Sequence, residues 1–145
     1  MPLLSGRLYG EKKSLIRDIV KKYNLDLRLT PNQDILLCNI SKKHKLNIKK
    51  ALSKIGYENL NDINEMQRHA LACPALPLCG LAMTEAERIL PSILTRIDDL
   101  LKSLNIKKSI LFRMTGCPNG CTRPYMAELA LVGSGQNKYQ LWLGG

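Results

Sequence analysis

Along the chain, apolar and polar positions fall into periods that predict its elements. Over residues 11–23, EKKSLIRDIVKKY sets Leu15, Ile16, Ile19 and Val20 on one stripe of a helix, with lysines around the remaining surface. LDLRL at 25–29 alternates apolar with polar, TPNQ at 30–33 has turn chemistry, and DILLCNI at 34–40 is a continuous apolar run. That order predicts a strand, a turn and a buried strand. A weaker helical period over 46–55, from Leu46, Ala51, Leu52 and Ile55, stops at Gly56, and 57–68 reads as loop or a short helix.

Further on, Thr84 with Glu87 three residues later has the form of a capping box. Ile89, Ile93, Leu94, Ile97, Leu100, Leu101 and Leu104 follow at helical spacing, so a long helix is predicted over about 84–104, with Pro91 interrupting it. SILFRM at 109–114, MAELALVG at 126–133 and KYQLWLGG at 138–145 read as strands, the last two joined by the GSGQN turn. The predicted class is α+β, a mixed sheet with flanking helices. The terminal LWLGG carries neither cap nor polar tail, and the chain reads as a piece of something longer.

Composition narrows the function classes. With 45% hydrophobic residues in 145, one domain-sized core is within reach. Aromatic residues make up 5%, too few to favour base stacking, and no nucleic-acid module signature is present. The net charge of +10 is uneven: residues 1–70 hold 14 basic and 7 acidic side chains, a surplus of +7, which leaves +3 for the remainder. A basic surface of this kind serves nucleic acid, a polyanionic cofactor, an anionic substrate or an acidic protein equally well, and solvated lysine faces are its plainer reading. No apolar run approaches a signal peptide or a membrane span, so a soluble protein of the cytoplasm, or of an organelle such as a plastid, is expected.

In such a reducing compartment, five cysteines point to metal ligation or free thiols rather than disulfides. Cys73 and Cys79 are separated by five residues and Cys117 and Cys121 by three, with 37 between the pairs. Four soft thiolates complete the shell of either zinc or an iron-sulfur cluster. Zinc knuckles usually hold two to four residues between ligands, which suits the second pair and not the first. Pro74, Pro77, Gly80, Gly116, Pro118 and Gly120 make the loops stiff and close, with backbone amides available to sulfur. Cys38 has no partner at ligand spacing, and His44 and His69 lack a second ligand nearby. Phosphate-binding glycine loops and nucleophile motifs are absent.

Three segments together resemble a known family. MTGCPNGCTRPYMAE at 114–128, ACPALPLCGLAMTEAER at 72–88 and RLTPNQDILLCNI at 28–40 are similar to the carboxyl-terminal repeat of assimilatory sulfite reductases that carry siroheme and a [4Fe-4S] cluster. NGCTRPYMAE is nearer to the sulfite than to the related nitrite enzymes, and ACPALPLCGLA is similar to the ferredoxin-dependent form. The resemblance implies one half of the sulfite/nitrite reductase repeat architecture. Residues 1–68 would form a ferredoxin-like half-domain and 69–145 the region that binds cluster and siroheme.

Carried onto this sequence, the resemblance implies that Cys73, Cys79, Cys117 and Cys121 ligate the cluster. Cys121 would also be the axial ligand of the siroheme iron and couple the two cofactors. Asn119 would lie in the loop that approaches siroheme, and Arg28, Thr30, Asn32 and Gln33 beside it. The implied reaction is six-electron reduction of sulfite to sulfide in sulfur assimilation. Its implied partners are sulfite, an electron donor of the ferredoxin type, and the amino-terminal half of the enzyme, where the family carries most of its sulfite-binding arginines and lysines. Two other readings stay open: a [4Fe-4S] electron-transfer module without siroheme, and a basic zinc or RNA-binding module.

Overall fold

The computed structural model describes residues 1–57 and 65–144. The chain divides into two compact units, Met1–Ile63 and Asn64–Gly145. In the first, helix α1 (Gly10–Tyr23) leads through Asn24, in the left-handed region at φ 49°, into an antiparallel hairpin of β1 (Asp26–Leu29) and β2 (Ile35–Cys38). Helix α2 (Lys45–Ser53) follows. Ile19 of α1, Leu25 and Ile48 of α2 are buried together, with Leu15, Tyr23, Leu37, Ala51 and Leu52 around them. The apolar stripe predicted for α1 is thus the one that packs, with Ile16 and Ile19 its buried members.

The hairpin corrects one expectation. DILLCNI does not form a buried strand: only Ile35 of β2 is buried, Leu36 is 48% exposed, and in β1 Leu27 and Leu29 are 42% and 79% exposed. A two-stranded ribbon needs a second layer to cover its face, and the cluster of this unit reaches only Leu25 and Leu37 beside it. The turn is as expected. The Thr30 hydroxyl accepts from the amides of Asn32 (3.3 Å) and Asp34 (3.1 Å), Thr30 N–H donates to the Asp34 carbonyl (2.9 Å), and Gln33 takes φ 63°.

The second unit is a four-stranded sheet. Its order is β3 (Ala70–Ala72), β4 (Phe112–Thr115), β5 (Leu129–Gly135), β6 (Lys138–Leu143), the first two pairings parallel and the last antiparallel. A short helix α3 (Glu65–Arg68) precedes β3, and 58–64, where loop or helix was expected, lie outside the described residues. Because side chains alternate along a strand, register sorts the sheet into two faces. Ala70, Phe112 and Leu129, then Ala72, Met114 and Leu131, stand on one face and join Leu90 and Leu94 of helix α4 (Leu90–Ser103) in the core. Leu71, Arg113 and Ala130, then Thr115 and Val132, stand on the other.

Helix α4 is shorter than predicted at its start. It begins at Leu90, so Pro91 lies in the first turn, where a missing N–H costs nothing, and interrupts no helix. Residues 84–86 lie outside any helix and 87–89 form a turn, with the amides of Ile89 and Leu90 both donating to the Ala86 carbonyl. Thr84 is no cap: it is buried, and its hydroxyl donates to the Tyr139 Oη at 2.8 Å, which donates in turn to the Glu85 carbonyl at 2.7 Å. Strand β3, which the sequence did not signal, is three residues long and alanine-rich, a composition with low strand propensity. No helix among the described residues is long and apolar enough to cross a membrane.

Leu94 is 2% exposed in the main cluster, while Leu100 of the same helix is 57% exposed. Leu94→Ala is expected to cost about 3 kcal/mol and Leu100→Ala within about 0.5 kcal/mol, read from urea unfolding followed by circular dichroism.

Candidate metal and cofactor site

All four paired cysteines lie in loops that leave the carboxyl ends of β3 and β4. Cys73 follows β3 directly, its N–H donating to the Met114 carbonyl at 3.2 Å so that the ladder runs one residue past the strand. The chain then turns sharply, with Ala75 buried and in the left-handed region at φ 51°. Cys79 N–H donates to the Ala75 carbonyl at 2.8 Å, and Ala82 N–H to the Cys79 carbonyl at 3.1 Å. This folds 73–82 into a tight double turn with Cys79 half-buried at its outer bend.

The second loop leaves β4 through Gly116. Gly116 N–H donates to the Cys73 Sγ at 3.3 Å, and its carbonyl accepts from Met83 N–H (2.8 Å) and Thr84 N–H (3.2 Å). The contact leaves no room for a side chain. A Cβ on Gly116 would sit 2.6 Å from the Ala75 Cβ and 2.7 Å from the Thr84 carbonyl oxygen, and one on Gly133 of β5 would sit 2.4 Å from the Gly116 carbonyl oxygen. Beyond Gly116, Cys117 is buried and Pro118 and Asn119 are exposed. Gly120 at φ 65° and Arg123 at φ 57° then wind Cys121 through a turn closed by Arg123 N–H to the Gly120 carbonyl at 2.7 Å. The Thr122 hydroxyl donates to the Met114 carbonyl at 3.3 Å, and Arg113 Nη1 donates to the Thr122 carbonyl at 2.7 Å, so strand β4 holds both legs of its own loop.

This geometry sets the Gly116 amide at the start of the second cysteine loop on the sulfur that opens the first. The Cys73 thiol has its pKa pushed up first by burial and further by Cys121 and Cys117, against the backbone amides of Gly116 and Ala75, which favour its thiolate. The Gly116 amide on this sulfur is a contact that a bound thiolate would use. Among the described residues, no three His, Cys, Asp or Glu side chains are drawn together as the shell of a single metal ion.

The remaining predicted residues are placed as follows. Asn119 lies at the exposed tip of the Cys117–Cys121 loop. In the first unit, Arg28 on β1 and Thr30, Asn32 and Gln33 in the turn stand at the end of the hairpin, Arg28 and Asn32 exposed and Thr30 and Gln33 half-buried. Cys38 closes β2 opposite Asp26. Residues that the sequence did not single out for the site matter here: Gly133, which admits the second loop, Tyr139, which with Thr84 fastens the first, and Arg113. Only Arg113 left a signal, as a charge inside the apolar strand pattern SILFRM.

Comparison with known proteins bears on this geometry. Residues 1–55 match the nitrite/sulfite reductase ferredoxin-like half domain. Over its whole length the chain is 48% identical to the sulfite reductase [ferredoxin] of Synechococcus elongatus. The chain is thus similar over its whole length to part of a sulfite reductase, and over residues 1–55 to a nitrite/sulfite reductase half domain. It is also 44% identical, over 92% of its length, to the sulfite reductase [NADPH] hemoprotein beta-component of Staphylococcus saprophyticus. The chain spans 24% of each of these two relatives. The fold agrees: the structure of the Mycobacterium tuberculosis NirA protein matches with a TM-score of 0.77 and 21% identity, covering 99% of this chain and 28% of that one. The mixed α and β architecture is shared with that structure.

Gly133 and Gly135 offer a matched test of the loop crossing, because a Cβ on Gly135 would come no nearer than 3.8 Å to any neighbour. Gly133→Ala is expected to cost about 1–3 kcal/mol as overpacking, and Gly135→Ala within about 0.5 kcal/mol, both read from urea midpoints.

Proposed function

We propose that this chain is the cluster- and siroheme-ligating portion of a sulfite reductase, contributing to the six-electron reduction of sulfite to sulfide. Cys73, Cys79, Cys117 and Cys121 hold a [4Fe-4S] cluster, and Cys121 is shared with the siroheme iron and so is the residue nearest the reaction. The observation that supports this reading is that the Cys73/Cys79 and Cys117/Cys121 loops leave the carboxyl ends of the neighbouring parallel strands β3 and β4, with the Gly116 amide donating to the Cys73 sulfur at 3.3 Å. When bound, these cofactors supply electron storage and the iron that takes sulfite.

The chain's own residues give the site its form. Two backbone amides favour the Cys73 thiolate, but burial outweighs them and pushes the thiol pKa up, so a bound iron would be what holds it ionised. Cys117 is buried and Cys121 exposed, which suits Cys121 to a second group on the open side of the loop. Asn119, on the same loop, and Arg28, Thr30, Asn32 and Gln33 of the hairpin are proposed as siroheme contacts, with Arg28 a cation suited to the cofactor's carboxylates. Sulfite, and the remaining three quarters of the polypeptide represented in the relatives, are proposed partners. A ferredoxin is the proposed electron donor: the most fully covering of the two relatives above is named for it, and a chain of +10 attracts an acidic carrier.

The visible spectrum of the anaerobically reconstituted chain, with iron and acid-labile sulfide measured on the same sample, tests this reading. About four irons and four sulfides per chain are expected. An added siroheme should show a band perturbed by Cys121→Ser and unaffected by Cys38→Ser. A colourless chain that takes up zinc and no iron would overturn the proposal. An iron-sulfur spectrum with a siroheme band indifferent to Cys121 would reduce it to a cluster-binding module.

A further inference from the structure

Strand β4 carries a charge that the site as described does not use. Arg113 lies in the middle of the sheet, on the face away from α4, and its neighbours in register are the apolar Leu71 and Ala130. It is 8% exposed. Its Nη1 donates to the Thr122 carbonyl at 2.7 Å and, more weakly, to the Arg123 carbonyl at 3.4 Å, while its Nε is buried with no hydrogen-bond partner. Two residues along the same face, the Thr115 hydroxyl is buried and equally without a partner.

No carboxylate among the described residues pairs with this guanidinium. The charges that act on it are Arg123, which repels it, and Tyr125; burial and Arg123 together hold its pKa below the usual arginine value. Arginine stays charged in proteins, so this is a buried cation with no carboxylate opposite it among the described residues. Buried charges in native proteins are paired or bind metals and ligands. Its hydrogen bonds lead to the cysteine loop. The carbonyl that Arg113 grips belongs to the residue after Cys121, and the strand that carries Arg113 ends two residues before Cys117.

We infer that Arg113 is the positioning and charge-compensating residue of the cysteine cage: it fixes the Cys121 turn through the Thr122 carbonyl and sets a buried positive charge against the thiolates held there. The inference rests on the cluster reading above and assigns it a feature that the ligands alone do not predict. A cluster with four thiolates is anionic and becomes more so on gaining an electron. A fixed cation in a region of low dielectric therefore favours the reduced state and raises the midpoint potential. The hydrogen bonds to the carbonyls fix geometry, whereas the charge sets potential, and substitution separates the two roles.

The test is a redox titration of the reconstituted full chain beside Arg113→Lys, Arg113→Gln and Arg113→Met. Lysine keeps the charge and loses the planar grip on the turn. Glutamine keeps a donor and loses the charge, and methionine loses both. At the poise where the unaltered chain is half reduced, the reduced-to-oxidised ratio is expected to fall about tenfold in both neutral variants, a shift of about 59 mV for one electron. The lysine variant should stay within about twofold. Neutral variants that keep the original midpoint would overturn the inference, and so would a lysine variant that shifts as far as they do. If neither neutral variant loads a cluster while the lysine variant does, charge at this position is required and the inference holds; if the lysine variant fails with them, it falls. An unaltered chain that takes up no iron would instead overturn the cluster reading beneath it.

Discussion

The site depends on one close approach of backbone to backbone. Gly116 leaves β4 pressed against Ala75, Thr84 and Gly133 so tightly that a methyl group at either glycine would overlap a neighbour. In the same place its N–H reaches the Cys73 sulfur and its carbonyl takes the amides of Met83 and Thr84. One peptide group thus ties the end of the first cysteine loop to the start of the second. With the pairing of β3 and β4, that contact joins the loops of Cys73/Cys79 and Cys117/Cys121, which are 37 residues apart in sequence.

The sheet behind the loops explains how the crossing is kept rigid. Its one face is apolar and packs Leu90 and Leu94 of α4 against Phe112 and Met114, all nearly inaccessible to water. Its other face carries Arg113 and Thr115 and lies on the side of β4 from which Arg113 and the Met114 carbonyl reach Thr122. Alternation along a single strand therefore divides labour: Phe112 and Met114 point their side chains into the core with α4, while the Arg113 side chain holds the loop of Cys117 and Cys121. The Thr84–Tyr139–Glu85 hydrogen-bond chain, running from β6 to the first loop, fastens the other side.

Much of this was legible in the sequence. The stripe of α1, the TPNQ turn and the spacing of the cysteines follow from local chemistry, and local chemistry decides them. What was misread depends on distant partners. Thr84 and Glu87 have the form of a capping box, yet Thr84 is claimed by Tyr139, 55 residues away, and the helix starts at Leu90 instead. DILLCNI is apolar enough for a buried strand, but a two-stranded ribbon does not bury it. Ala70–Ala72 is a strand only because β4 offers it a parallel edge. Gly116 and Gly133 read as loop and strand glycines; that they meet each other is a tertiary fact. Arg113 could be seen as an oddity in an apolar run, and its lack of a counter-charge only in three dimensions.

The central claim is that the four cysteines hold one four-iron cluster, and native mass spectrometry of the anaerobically reconstituted full chain measures it most directly. The account predicts a single added mass of four irons and four sulfides on the unaltered chain, and loss of that species when Cys117 is replaced by serine. A single zinc ion, or no added mass under the same conditions, would contradict it.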